Sequence, residues 1–199
     1  MNPSSPHPQA TDAELVSRAQ RGDRAAAAAL VLRYQDRVYN TCYRMCHHHA
    51  DSLDLAQGAL LRALQALPNF ESRSNFFTWL FRIVVNHVLT HRRRKRPESP
   101  LRLSDDDTHG HEPTSMEDDD PSVSTQREEL HERLHDAISR LEDEFRTVVV
   151  LKDIEGMDYA QISEVLDIPI GTVKSRIHRG RMMLRAMLQA VGELPDGRQ

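Results

Sequence analysis

Apolar positions along this chain recur at intervals of three and four residues, the spacing of a buried helix face, and no stretch reads as a convincing strand. Thr11-Asp12-Ala13-Glu14 has the form of a capping box and opens a first short helix that ends near Gly22. Asp23 can cap a second helix, in which Leu30, Tyr34, Val38 and Cys42 make one stripe. A third opens at Asp51, with Leu53, Ala56, Leu60, Leu64 and Leu67 expected on its inner face, and stops at Pro68. Ser74 or Asn75 caps a fourth, which runs through Phe76, Leu80, Ile83, Val84 and His87 into the basic run Arg92 to Arg96. Further on, residues 127–140 and 142–155 read as helices, and Gly156 makes a turn. Asp158 to Leu166 is a short helix, Asp167-Ile168-Pro169 a tight connection, and Ile170 to Val191 a long final helix. Short helix, tight turn and basic helix match a helix-turn-helix.

The pattern implies an all-α fold of two small helical domains joined by a flexible acidic linker, the second containing the helix-turn-helix. The expected limits are an N-terminal tail over 1–10, a first domain over 11–96, the linker over 97–127, a second domain over 128–192 and a C-terminal tail over 193–199. The linker assignment rests on composition. Pro97 to Arg127 has no periodicity, several prolines and the triplets Asp105-Asp106-Asp107 and Asp118-Asp119-Asp120, too little apolar surface to offset the entropy of ordering.

Charge sharpens the division, because the net −4 is unevenly distributed. Residues 1–96 carry 14 Lys/Arg against 7 Asp/Glu, residues 97–127 carry 2 against 9, and residues 128–199 carry 10 against 14. Within the last part, Ile170 to Ala190 holds five Lys/Arg and no acid. Two local basic surfaces inside a near-neutral chain are the electrostatic footprint of nucleic-acid binding. With 5% aromatic residues, the cores must be built from Leu, Val, Ile and Ala. The longest wholly apolar run, Ala25 to Leu32, is far short of the roughly 20 residues that span a bilayer, and Met1 to Ala10 lacks the features of a signal peptide. No membrane insertion and a cytoplasmic location are expected.

On the final helix, Val173, Ile177, Gly180, Leu184 and Met187 fall on one side and should pack inward. Lys174, Ser175, His178 and Arg179 then point outward, with Arg176 and Arg181 beside them, a mixture suited to holding phosphates and reaching base edges. A second concentration of chemistry precedes the arginine run: Phe70, Phe76, Phe77, Trp79 and Phe81 lie within twelve positions. Trp79 and two of the phenylalanines are expected in the core, leaving exposed rings beside cations, which suits stacking on unpaired bases. Cys42 and Cys46-His47-His48-His49 offer zinc-type ligands. Against that, Cys42 lies on the apolar stripe, where a free cysteine acts as a small hydrophobe, and the histidines sit at a helix end. No metal, no cofactor and no catalytic residue is assigned.

The residues from Phe70 through Asn86, with the arginines that follow, resemble the promoter-melting region of extracytoplasmic-function (ECF) RNA polymerase sigma factors, a sigma-70 group. Pro169 to Arg181 is similar to that family's fourth region, and Asp12 to Val38 to its opening helices. The resemblance spans nearly the whole chain in order. It implies a subunit that binds core RNA polymerase, recognises promoter DNA and helps melt the minus-ten element, without being an enzyme. It places Phe70 and Asn86 at the pocket for a flipped minus-ten base, with Arg92, Arg93 and Arg94 on the single strand. Lys174, Ser175, Arg176, His178 and Arg179 fall on the reader of the minus-thirty-five element. Asp54 and Gln57 fall on the helix that docks on the clamp of the largest polymerase subunit, and an anti-sigma factor is a further partner the resemblance allows. Leu53, Gly58, Leu60 and Thr90 depart from the family pattern. Glycine within a helix costs about 1 kcal/mol relative to alanine, and the family usually has an acidic residue there, so a glutamate at 58 is expected to strengthen docking through both helix propensity and charge.

Two other readings compete. A helix-turn-helix regulator acting without polymerase leaves the aromatic cluster unexplained. A metal-dependent enzyme built on the Cys/His cluster lacks an accompanying carboxylate base or substrate-holding loop.

Overall fold

The computed structural model describes residues 10–95 and 133–190, which are helical and contain no strand. The two expected tails, apart from Ala10, and the expected acidic linker lie outside the described residues.

Helix α1 (Asp12–Gln20) begins as its sequence demands. The Thr11 amide donates to the Glu14 carboxylate at 2.8 Å, and the Glu14 amide donates to Thr11 Oγ1 at 3.3 Å, so two otherwise free helix amides are satisfied. Gly22, at φ 91°, turns the chain into α2 (Arg24–Cys46), where the Asp23 carboxylate accepts from the amides of Ala25 and Ala26. The stripe Leu30, Tyr34, Val38 and Cys42 is buried as expected, extended by Met45. Helix α3 (His49–Ala66) starts two residues before Asp51, because His48 Nδ1 accepts the Asp51 amide at 3.2 Å and so caps it.

The inner face of α3 differs from the expected one. Ser52, Leu55, Ala56, Ala59 and Ala63 are buried, whereas Leu53 is 46% and Leu64 37% exposed. Small side chains let α3 lie close against α2 and α4, and that close packing, which a count of leucines misses, rotates Leu53, Leu61 and Leu64 outward. A 3₁₀ turn (Leu67–Asn69) and a short loop lead to α4 (Phe76–Lys95), capped by Asn75, whose Oδ1 accepts from the Thr78 amide at 2.7 Å.

Residues 133–140 form α5. The helix expected over 142–155 is α6 (Asp143–Val149) followed by a π-helical segment, Val150–Ile154, in which the Glu155 amide reaches back five residues to the Val150 carbonyl at 3.0 Å. Such an insertion re-aims the side chains after it. Helix α7 (Tyr159–Leu166) carries its own capping box between Asp158 and Gln161, and Asp167, in the left-handed region, leads to α8 (Ile170–Ala190). Gly180 lets α8 lie on α6, since a Cβ there would stand 2.7 Å from Val149 Cγ2.

The two helical domains pack against each other. One contiguous buried cluster runs from Leu15 and Val16 through Leu30, Val38, Phe81 and Val85 to Val148, Leu151, Ile162, Val173 and Ile177. Helix α7 packs across α4, and α6 and the π segment meet α2.

Candidate nucleic-acid interface

Helix α8 turns Val173 and Ile177 fully inward, which fixes the opposite face. Lys174, Ser175, His178 and Arg179 are exposed there. Lys174 Nζ lies 5.6 Å from the centre of the Tyr159 ring, a cation–π contact that tethers it beside the turn. Ser175 Oγ donates to the Thr172 carbonyl at 3.0 Å and retains acceptor capacity. Two of the basic side chains are already neutralised: Arg176 pairs with Glu144 at 2.7 Å and Arg181 Nε with Asp153 at 3.1 Å. Among the described residues, Lys174 and Arg179 are the cations of this face without an acidic partner, and Arg185 is exposed further along.

On α4 the aromatic residues divide between two sides. Phe76 and Phe81 are buried, but Trp79, expected in the core, is only partly buried. Its ring packs 4.8 Å from Phe70 and 5.6 Å from Phe76, centre to centre, so Phe70 is held half-buried at the head of the loop. Phe77 and Phe81 stack on each other at 4.5 Å, and the Arg37 guanidinium lies 4.3 Å from the Phe77 ring. No ring of the group stands fully clear in solvent; each partly exposed one leans on the core.

Asn86 is exposed on the outer face of α4, and helical spacing puts Arg82 and Arg93 on the same face, both exposed. Arg82 was absent from the expected set; its position one turn before Asn86 was the available signal. Arg94 is exposed too, and Arg93 folds back towards its own helix, at 3.4 Å from the Leu89 carbonyl. Arg92 does not join them. Its guanidinium donates to the Met45 carbonyl and pairs with Asp143 at 2.8 Å, because at its position α4 faces α6.

Asp54 and Gln57 are exposed on α3. Gln57 lines an open groove of about 440 Å³ between α2 and α3, together with Tyr39, Leu53, Leu60, Leu61 and Leu64. Gly58 has a packing reason: a Cβ there would stand 2.8 Å from His87 Nε2. Burial, then Arg62, His91 and Arg94 nearby, holds the His87 pKa below its ordinary value. The Cys46 thiol is pushed up to about 11 by burial, and that of Cys42 still higher by the same cause, so both remain thiols at neutral pH. Among the described residues no three His, Cys, Asp or Glu side chains are grouped to hold a metal ion.

A basic recognition helix behind a tight turn, beside a second helix that exposes an amide and arginines next to aromatic rings, defines an all-helical DNA-binding protein of the helix-turn-helix class. Residues 30–98 match the family model for sigma-70 region 2, and residues 131–184 that for sigma-70 region 4. The RNA polymerase sigma-H factor of Pseudomonas aeruginosa is 35% identical over 91% of this chain and 95% of its own. The ECF sigma factor SigW of Bacillus subtilis is 37% identical over 87% and 95%. Among solved structures, CnrH, in complex with the cytosolic domain of CnrY, superposes with a TM-score of 0.67 at 26% identity, covering 90% of this chain and 97% of that one. The chain belongs to the ECF RNA polymerase sigma factors, and it acts with RNA polymerase in promoter recognition and transcription initiation. Among the described residues no helix is long and apolar enough to cross a membrane.

Proposed function

We propose that residues 11–96 dock on core polymerase and open the minus-ten element, while residues 128–192 read the minus-thirty-five element as duplex. The observation that carries this division is the contrast between the two cationic faces. On α8, Lys174, Ser175, His178 and Arg179 form a polar outer face suited to a major groove, without the cluster of large aromatic rings that adjoins α4. On α4, exposed Asn86 stands between Arg82 and Arg93, on the helix whose start holds Phe70 against Trp79. An extruded base needs an apolar surface to stack on and an amide to satisfy its edge, and Phe70 and Asn86 supply one each. Arg82, Arg93 and Arg94 would hold the adjoining backbone. The leucine-edged groove beside Gln57 and Asp54 is the docking surface for the clamp of the largest subunit, since exposed apolar surface of this kind marks a protein contact. The protein performs no catalysis itself and works in the cytoplasm. An anti-sigma protein is a further partner, in keeping with the CnrH relative, whose structure is a complex with CnrY.

Asn86→Ala tests the melting step. With core polymerase and a duplex promoter, the variant is expected to keep upstream binding and to lose roughly tenfold or more in permanganate reactivity of minus-ten thymines, since unstacking costs a few kcal/mol. A pre-melted template should recover most of the loss. Equal reactivity on duplex would remove Asn86 from the mechanism.

A further inference from the structure

A ring that stacks on an extruded base works best when it is in place before the base arrives, because a pocket that must be ordered on binding loses affinity to that ordering. Phe70 is not part of a long helix. It follows the 3₁₀ turn Leu67–Asn69 and opens the loop to α4, where no helical ladder holds the backbone. Its ring leans on Trp79 at 4.8 Å and on Phe76 at 6.1 Å, centre to centre. Those contacts hold the ring on the core and leave the backbone that carries it to be fixed by something else.

The tie comes from α1. The Gln20 side-chain amide donates to the Leu67 carbonyl at 3.1 Å and to the Phe70 carbonyl at 2.7 Å. Both acceptors are carbonyl oxygens, so the group between them can only be the NH2, with one N–H for each. The Leu67 carbonyl also accepts the Phe70 amide at 3.1 Å, so one side chain fastens both the turn and the first residue of the loop. The far end of the loop has its own tie in the Asn75 cap on the Thr78 amide. Gln20 is a firm post, being the last residue of a helix that buries Leu15 and Val16. Asp12, at the start of that helix, pairs with Arg33 of α2 at 2.5 Å and accepts from the Tyr34 hydroxyl. Beyond Gln20, Arg18 Nε donates to the Asp23 carboxylate at 2.8 Å across the Gly22 turn. Gln20 itself is exposed, so core packing does not account for an amide at this place.

The geometry points to Gln20 as a positioning residue of the minus-ten pocket, holding the Phe70 backbone so that the ring is presented to the extruded base. The inference rests on the reading of Phe70 and Asn86 made above. Gln20 acts through the two carbonyls and not by touching DNA. Without its donors the loop samples other arrangements, and capture of the base must first order it, which weakens stacking and leaves contacts elsewhere unaltered.

The test uses the full chain assembled with core polymerase on templates whose minus-ten element is already melted. Each template is prepared intact and with one abasic site, moved in turn through the minus-ten strand, and the ratio of the two affinities isolates what the captured base contributes. A loss of stability or of upstream contacts lowers both affinities alike and leaves the ratio unmoved. The parent is expected to favour the intact template by about tenfold at one position, the usual worth of stacking one base. Phe70→Ala should bring that ratio close to one. Gln20→Met, similar in length but without a donor, should lower it to about two- to threefold. Gln20→Lys restores N–H donors and should recover most of the preference, and the ratio cancels its added charge. Helical circular dichroism and binding of a minus-thirty-five duplex are expected to stay as in the parent for both Gln20 variants. A parental ratio in Gln20→Met beside a defective Phe70→Ala would overturn the positioning role alone, and so would a Gln20→Lys as defective as Gln20→Met. A parent with no preference for the intact base at any position, or a Phe70→Ala that keeps it, would instead overturn the reading of the pocket and the role of Gln20 with it.

Discussion

Single positions here carry more constraint than their residue types suggest, and Gly58 is the clearest case. Propensity argues for replacing it, because glycine in a helix costs about 1 kcal/mol against alanine. Packing argues the reverse, because a Cβ would meet the His87 imidazole at 2.8 Å. His87 is half-buried between α3 and α4, so its ring can yield only by losing contacts. We expect Gly58→Ala to destabilise the chain by about 1 kcal/mol in denaturant unfolding, the usual scale of modest overpacking. In a His87→Ala background the same change should stabilise by a similar amount, because the helix term is then unopposed. Additive effects in that double-mutant cycle would sink the explanation. A glutamate at 58, expected to strengthen docking, meets the same packing constraint, because its Cβ has to displace the His87 ring.

At the scale of the element, α8 shows that a basic helix is not uniformly a DNA-binding one. Of its cations, Arg176 and Arg181 are paired with Glu144 and Asp153, acids on α6 and the π segment. Lys174 and Arg179 have no such partner among the described residues and are exposed. Each phosphate contact releases condensed counterions, so its loss flattens the salt dependence of binding by about one unit in log–log slope. Lys174→Ala and Arg179→Ala are expected to show that flattening in anisotropy titrations of a minus-thirty-five duplex over a range of salt. Arg176→Ala should leave the slope unchanged, and an exposed pair of this kind contributes under about 1 kcal/mol to stability. A slope flattened equally by Arg176→Ala would mean that Glu144 gives up its arginine to the DNA.

At the scale of the molecule, the common core predicts cooperative behaviour from a chain whose sequence reads as two domains. Phe81, Val85, Val148, Leu151 and Ile162, drawn from both halves, belong to one buried cluster. Units that share a core unfold together, whereas units joined only by a tether unfold independently. Calorimetry of the free protein is expected to give one transition with matching calorimetric and van't Hoff enthalpies. Glu155 joins the halves through its ion pair with Arg37 at 2.5 Å, so Glu155→Gln should broaden the transition or resolve it into two. A parent that melts in two steps would show that the halves contribute separately to stability.

The sequence alone determined what depends on local physics. Helices and their starts were legible because capping is a short-range hydrogen-bond pattern, as at Thr11, Asp23, Asn75 and Asp158. The outward face of α8 followed from its period, since Val173 and Ile177 could only point one way. Tertiary structure decided what depends on who packs against whom. The inner face of α3 follows from alanines that admit close neighbours, not from its leucines. The fate of Arg92 depends on Asp143, fifty-one positions later, and that of Glu155 on Arg37, across both halves of the chain. Periodicity reports a residue's place on its own helix and is blind to the element that will face it, so the cations of a basic run look alike until folding assigns some of them partners.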